Sequence, residues 1–148
     1  RDVYKRQLEL KINDENKDNS FVAMALKIGH RIPNGVAVQG ELMGPGIQGN
    51  REGFTETRFF VFDIYDIDNR FYIDSISRQV ACNAYGIDMV PVVYNRATAP
   101  NSVEEGLALA EGPSINHKIR EGLVWKCNED PSFSFKTISN QFLLKGGD

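Results

Sequence analysis

At 148 residues the chain is the size of one ordinary domain, enough to bury a real core. Its 41% hydrophobic and 25% charged residues are average for a soluble globular protein. A formal net charge of −3 does not advertise nucleic-acid binding by bulk charge, so any phosphate contact must be local.

The chain opens on DVYKRQ (Asp2 to Gln7), a run similar to the translation of a transposon-end adapter used in sequencing libraries. Residues 1–7 are therefore expected to be an adapter-derived scar, with residues 8–148 the folded part and the natural amino terminus missing. Setting aside Arg1, Lys5 and Arg6 against Asp2 leaves the remainder two units more negative than the whole. Asp14 to His30 then reads as a helix: Phe21, Ala25 and Ile28 recur at helical spacing, Val22 and Leu26 widen the stripe, and Gly29 stops it. Pro33-Asn34-Gly35 signals a turn. Val36 to Leu42 is a strand with Val36, Val38 and Gly40 on one face and Ala37, Gln39 and Glu41 on the other.

A glycine-rich loop follows, Gly44-Pro-Gly-Ile-Gln-Gly49. Arg58 to Ile67 is the strongest strand, apolar on both faces through Phe62, with Phe60 and Phe62 sharing a face by alternation. Asp68-Asn69 turns the chain, and Phe71-Tyr72-Ile73 pairs back as a hairpin. Ser75 is suited to cap a helix carrying Ile76, Val80 and Ala84, closed by Gly86. Met89 to Tyr94 reads as a short strand. Ser102 caps a further helix with Glu104 and Glu105 in its first turn, where the helix dipole favours acids. Gly122 to Lys126 and Phe133 to Ile138 are the last strands. The whole predicts one α+β domain with mixed, largely antiparallel sheets and flanking helices.

No apolar run is long enough to span a bilayer and no amino-terminal stretch has a signal-peptide layout, so no membrane association and a cytoplasmic location are expected. Cys82 and Cys127 are far apart and outside any CxxC or Cys/His cluster, and His30 and His117 are the only histidines. Any metal would be a hard cation held by oxygen.

Gly44, Gly46 and Gly49 match GxGxxG directly after a strand, the pattern of a dinucleotide-binding oxidoreductase. That fingerprint needs a helix beginning at the loop so that its free N–H groups meet the pyrophosphate. Asn50 to Thr57 is too short, carries Gly53 in its middle and lacks an apolar stripe. No GK[ST] follows either, which excludes a P-loop. Helical content between Gly49 and Phe59 decides the question.

Four blocks in order carry a more specific resemblance. They are Gly40-Glu41-Leu42-Met43-Gly44-Pro45-Gly46-Ile47-Gln48, Phe59-Phe60-Val61-Phe62-Asp63-Ile64, Glu121-Gly122-Leu123-Val124-Trp125-Lys126, and Ser134-Phe135-Lys136-Thr137-Ile138-Ser139-Asn140 followed by Phe142-Leu143-Leu144-Lys145. Together they resemble the ATP-dependent RNA ligases of the phage T4 RNA ligase 2 and Deinococcus-type families. The resemblance implies the carboxyl-terminal part of a nucleotidyltransferase domain, an ATP-grasp-like fold that is incomplete here.

It also implies a chemistry: a lysine attacks ATP, AMP passes to an RNA 5′-phosphate, and a 3′-hydroxyl displaces AMP. Such transfers are mostly positioning and charge neutralisation. By resemblance Glu41 accepts from the ribose, Phe62 stacks on adenine, Lys126 and Lys136 neutralise phosphate, and Glu121 helps place Mg2+. Glu41, Glu121 and Lys136 are thus the implied catalytic set, ATP and Mg2+ the cofactors, and RNA ends or nicks the partner of a monomeric protein. On their own residues alone, Phe62 could equally be core and Lys136 merely solvent-facing.

Two departures stand out. The T4-like branch has two lysines two apart in the last strand, whereas the second position here is Ile138; the Deinococcus-type branch tolerates this, and Lys145 could supply part of the charge. The nucleophile's KxxG or KxDG block is absent, since Lys11, Lys17 and Lys27 lack a glycine three residues on. The chain as given is therefore expected not to adenylylate itself. A non-catalytic nucleotide- or RNA-binding module descended from a ligase is the alternative, while the Gly-Pro-Gly-Ile-Gln loop argues against a DNA ligase or capping guanylyltransferase.

Overall fold

The computed structural model describes residues 13–96 and 98–145; the adapter-like run lies outside them. The first helix, α1 (Ser20–Ile28), begins six residues later than its periodicity suggests. Asn13 Oδ1 accepts from the backbone N–H groups of Glu15 (3.0 Å) and Asn16 (3.1 Å), a local turn that competes with the helix. Helix starts only where Asn19 caps it by accepting from Phe21 N. Val22 and Met24 are buried, while Phe21 and Leu26 stay exposed, so the buried face is narrower than the apolar stripe.

Strand β1 (Val36–Met43) pairs antiparallel with β2 (Arg58–Asp66), and β3 (Phe71–Tyr72) completes a sheet of order β1-β2-β3. Gly40 lets the first two strands meet: a Cβ there would sit 2.5 Å from the Phe60 carbonyl oxygen. The register slips once. Gln39 faces Asp63 and Gly40 faces Val61, so Phe62 is an additional residue with no cross-strand partner, a β-bulge.

Helix α2 (Ser75–Tyr85) is capped by Asp74 rather than Ser75, its carboxylate accepting from Ile76 N and Ser77 N at 2.9 Å each. Gly86 closes it in the left-handed conformation. Its predicted apolar stripe faces outward, with Ile76 73% and Val80 64% exposed. The buried face is instead Arg78 and Cys82. The sheet explains the reversal: it offers Arg78 the carboxylate of Asp63, and Cys82 joins Val61, Ile64 and Ile87 in the core.

The predicted strand at Met89 is a single parallel bridge to Val61, held by Val90 N donating to Val61 O at 2.9 Å. Pro91 has no N–H with which to extend the ladder. Helix α3 (Val103–Ala110) is capped by Ser102 as expected. Strands β4 (Gly122–Lys126) and β5 (Ser134–Ile138) form a separate antiparallel pair, followed by a short helix α4 (Asn140–Leu144) that the sequence did not predict. Ser139 halts the strand, its hydroxyl accepting from Phe142 N at 3.1 Å. The architecture is α+β with antiparallel sheets, and among the described residues no helix is long and apolar enough to cross a membrane.

Candidate functional site

The glycine loop joins two antiparallel neighbours and makes only one turn of 3-10 helix, at Gln48–Asn50. No α-helix lies between Gly49 and Phe59, which removes the dinucleotide-binding reading. Gly44 adopts φ 144° against the backbone of Thr57, where a Cβ would come within 2.7 Å of Thr57 Cα.

The β4–β5 hairpin sorts its side chains by register. Val124 faces Lys136 and Lys126 faces Ser134, placing Val124, Lys126 and Lys136 on one side; Leu123, Trp125, Phe135 and Thr137 take the other. On that other side Trp125 stacks between Tyr94 (6.2 Å) and Phe135 (6.0 Å), and its indole N–H donates to Thr137 Oγ1 at 2.9 Å. The hairpin is thus anchored by its aromatic back, and its lysines meet acids.

Lys126 pairs with Asp63 and donates to the Phe62 carbonyl at 2.9 Å, its ammonium 5.7 Å from the centroid of the Phe62 ring. The bulge makes this possible, because it puts Phe62 and Asp63 together opposite one stretch of β1 and brings both to the same cation. Phe62 remains 37% exposed, leaving ring surface for a ligand. The bulge also corrects the simple alternation: Phe60 pairs with Glu41, is 4% exposed, and packs on Phe54 (5.6 Å), with the Arg58 guanidinium over both rings (5.0 Å from Phe60 and 5.2 Å from Phe54). Phe60 is core; Phe62 is surface.

Lys136 pairs with Glu121, and both side chains are about half exposed, so this contact contributes little to stability. Glu41 belongs to the same group. Its residue is exposed overall, yet partial burial of the carboxyl, and then repulsion from Glu121 and Glu52, raises its pKa; Lys136 pulls it the other way. The structure therefore gathers Glu41, Glu121 and Lys136 into one electrostatic cluster and Phe62, Lys126 and Asp63 into another, joined by one hairpin face.

Glu121 is held through its backbone. Ser139 N donates to its carbonyl at 2.8 Å, and Gly122 beside it packs so tightly that a Cβ would lie 2.0 Å from Thr137 O. The preceding Arg120 is buried, donating to the carbonyls of Ala110 (2.9 Å), Leu109 (2.8 Å) and Glu111 (2.5 Å) at the end of α3. Glu111 in turn accepts from Ser139 Oγ (2.7 Å) and Asn140 N (2.8 Å), and the hydroxyl bond foremost holds its carboxyl below the usual range.

Among the described residues no group of three or more His, Cys, Asp or Glu could hold a metal unaided. Glu41 and Glu121 are hard oxygen donors, suited to a cation that draws its other ligands from water or phosphate. Asp63, Arg78 and Arg120 carry no role in the sequence reading. A lone acid and a lone arginine inside apolar periodic segments were the available signals.

The RNA ligase family matches residues 2–138 of the chain. Among solved structures, Naegleria gruberi RNA ligase with PPi is similar at 35% identity and TM-score 0.71, covering 94% of this chain and 43% of that one. A mutant of it with ATP and Mn gives 33% and 0.73 over 94% of this chain and 43% of that one. A mutant with AMP and Mn gives 35% and 0.70 over 92% and 42%. The present chain spans less than half the length of the solved ligases it matches. No curated protein matches it.

Proposed function

The chain belongs to the RNA ligase family, and from that premise we propose that this region binds ATP and supplies the phosphate contacts for joining RNA ends through lysyl-AMP and 5′-adenylylated RNA. One observation carries the reading: a single hairpin face sets Lys126 against Phe62 and Asp63, and Lys136 against Glu121 beside Glu41. Adenine stacks on the exposed ring of Phe62, a contact of about 1–3 kcal/mol. Glu41 accepts from a ribose hydroxyl. The ammonium groups of Lys126 and Lys136 leave their resting carboxylates to neutralise phosphate oxygens as point charges.

Glu121, relieved of Lys136, holds Mg2+ directly or through water; the ion would supply further charge neutralisation at phosphate. The similarity to ligases solved with ATP and Mn supports a divalent cation here. The RNA partner is an end or nick that presents a 5′-phosphate. None of the eight lysines is followed three residues later by glycine, so this chain alone does not form the lysyl-AMP adduct.

Calorimetric titration with ATP and Mg2+ tests the reading. Binding is expected, weakened by about tenfold or more in K126M and in K136M. Absence of binding, or indifference to both substitutions, overturns it. Labelled ATP is expected to leave no covalent adduct, and an adduct would contradict the last statement.

A further inference from the structure

Arg78, on α2, is 6% exposed, and its Nε has no hydrogen-bond partner. A guanidinium does not lose its proton, so this is a permanent charge taken out of water. Its ion-pair partner is Asp63, with Nη1 3.8 Å from Oδ1. The same Oδ1 also holds Lys126, and the Asp63 side chain is only 17% exposed. Two cations therefore share one mostly buried carboxylate beside the exposed ring of Phe62.

That arrangement settles what happens when Lys126 departs. With Lys126 as its sole counter-ion, a mostly buried Asp63 would be left uncompensated, which is strongly unfavourable and would hold the lysine in place. Arg78 stands behind it at a distance too long for a direct hydrogen bond but short enough to close by a side-chain shift. We propose that Arg78 is a positioning residue: by taking over Asp63, it releases the Lys126 ammonium to bind a nucleotide phosphate. The inference rests on the nucleotide reading above and adds the residue that makes Lys126 available.

The test compares adenosine, which has no phosphate, with ATP. Trp125, the chain's one tryptophan, neighbours Lys126 and reports binding by fluorescence, with calorimetry as a second readout. In the unmodified chain ATP binds more tightly than adenosine. In R78Q that advantage falls by about tenfold while adenosine affinity is unchanged, and D63N added to R78Q restores it by freeing the lysine. A purely structural arginine predicts equal losses for both ligands and no rescue, and either result overturns the proposal. Should R78Q not fold, R78K carries the test: the charge is retained, so the ATP advantage is retained, and its collapse with adenosine binding intact overturns the idea. An unmodified chain that binds neither ligand overturns the nucleotide reading and this inference together. Binding of both, with the full ATP advantage kept in R78Q, overturns the inference alone.

Discussion

Lys126 on β4 and Asp63 on β2 form an ion pair across the two sheets, with each side chain less than one-fifth exposed. Because Asp63 also faces Arg78, the two partners are not equivalent. D63A strands two cations and is expected to cost about 3 kcal/mol, whereas K126M leaves Asp63 with Arg78 and costs less. Urea unfolding of both variants measures the difference, and equal losses would contradict the shared carboxylate.

Gly122 is a packing requirement rather than a flexible point. A methyl group would sit 2.0 Å from Thr137 O and 2.9 Å from Ile138 Cα, so G122A must push β4 and β5 apart beside Glu121. The expected loss is about 2 kcal/mol or more in thermal unfolding, with weaker ATP binding alongside. An unchanged melting temperature would show that the strands yield freely.

The raised pKa of Glu41 has a pH signature. Its carboxyl is harder to ionise in the fold than in the unfolded chain, so its contribution to stability falls as pH climbs from the ordinary carboxylate range through the raised value. E41Q removes that loss. The variant is therefore expected to be more stable than the unmodified chain at neutral pH, with the gap closing in acid once both states are protonated. Solvent screening keeps the effect small. Unfolding curves at pH 4 and pH 7 give the sign.

Arg120 satisfies carbonyls at the end of α3 that have no helical partner. R120M leaves them unsatisfied in a buried setting and should cost about 3 kcal/mol. R120K should recover little, because an ammonium cannot reproduce a planar fork reaching several carbonyls. Chemical denaturation of the pair separates fork geometry from charge.

The helices show where sequence periodicity misleads. Ile76 and Val80 have the spacing of a buried stripe, yet α2 turns Arg78 inward. An acid on β2 makes burying that arginine less costly, and no local pattern on α2 records it. The helix at α1 begins late for a similar reason: Asn13 and Asn16 bond to nearby backbone, which apolar spacing does not register. Strand positions fared better: β1, β2 and β4 lie where their apolar runs put them, although the bulge breaks alternation at Phe62, and Gly40 and Gly122 lie at close backbone approaches.

Four ordered blocks were enough to identify the family from the linear chain, and the residues proposed above for phosphoryl transfer, Glu41, Phe62, Glu121, Lys126 and Lys136, all lie within them. Those blocks are local strings, and local strings survive in a linear reading. How they meet is set by contacts between strands and helices distant in the chain. The bulge at Phe62 aims two neighbouring side chains at Lys126, the hairpin register puts both lysines on one face, and α2 buries a second cation behind Asp63. Each depends on pairing between segments far apart in the chain, where one residue of register reverses the direction of a side chain.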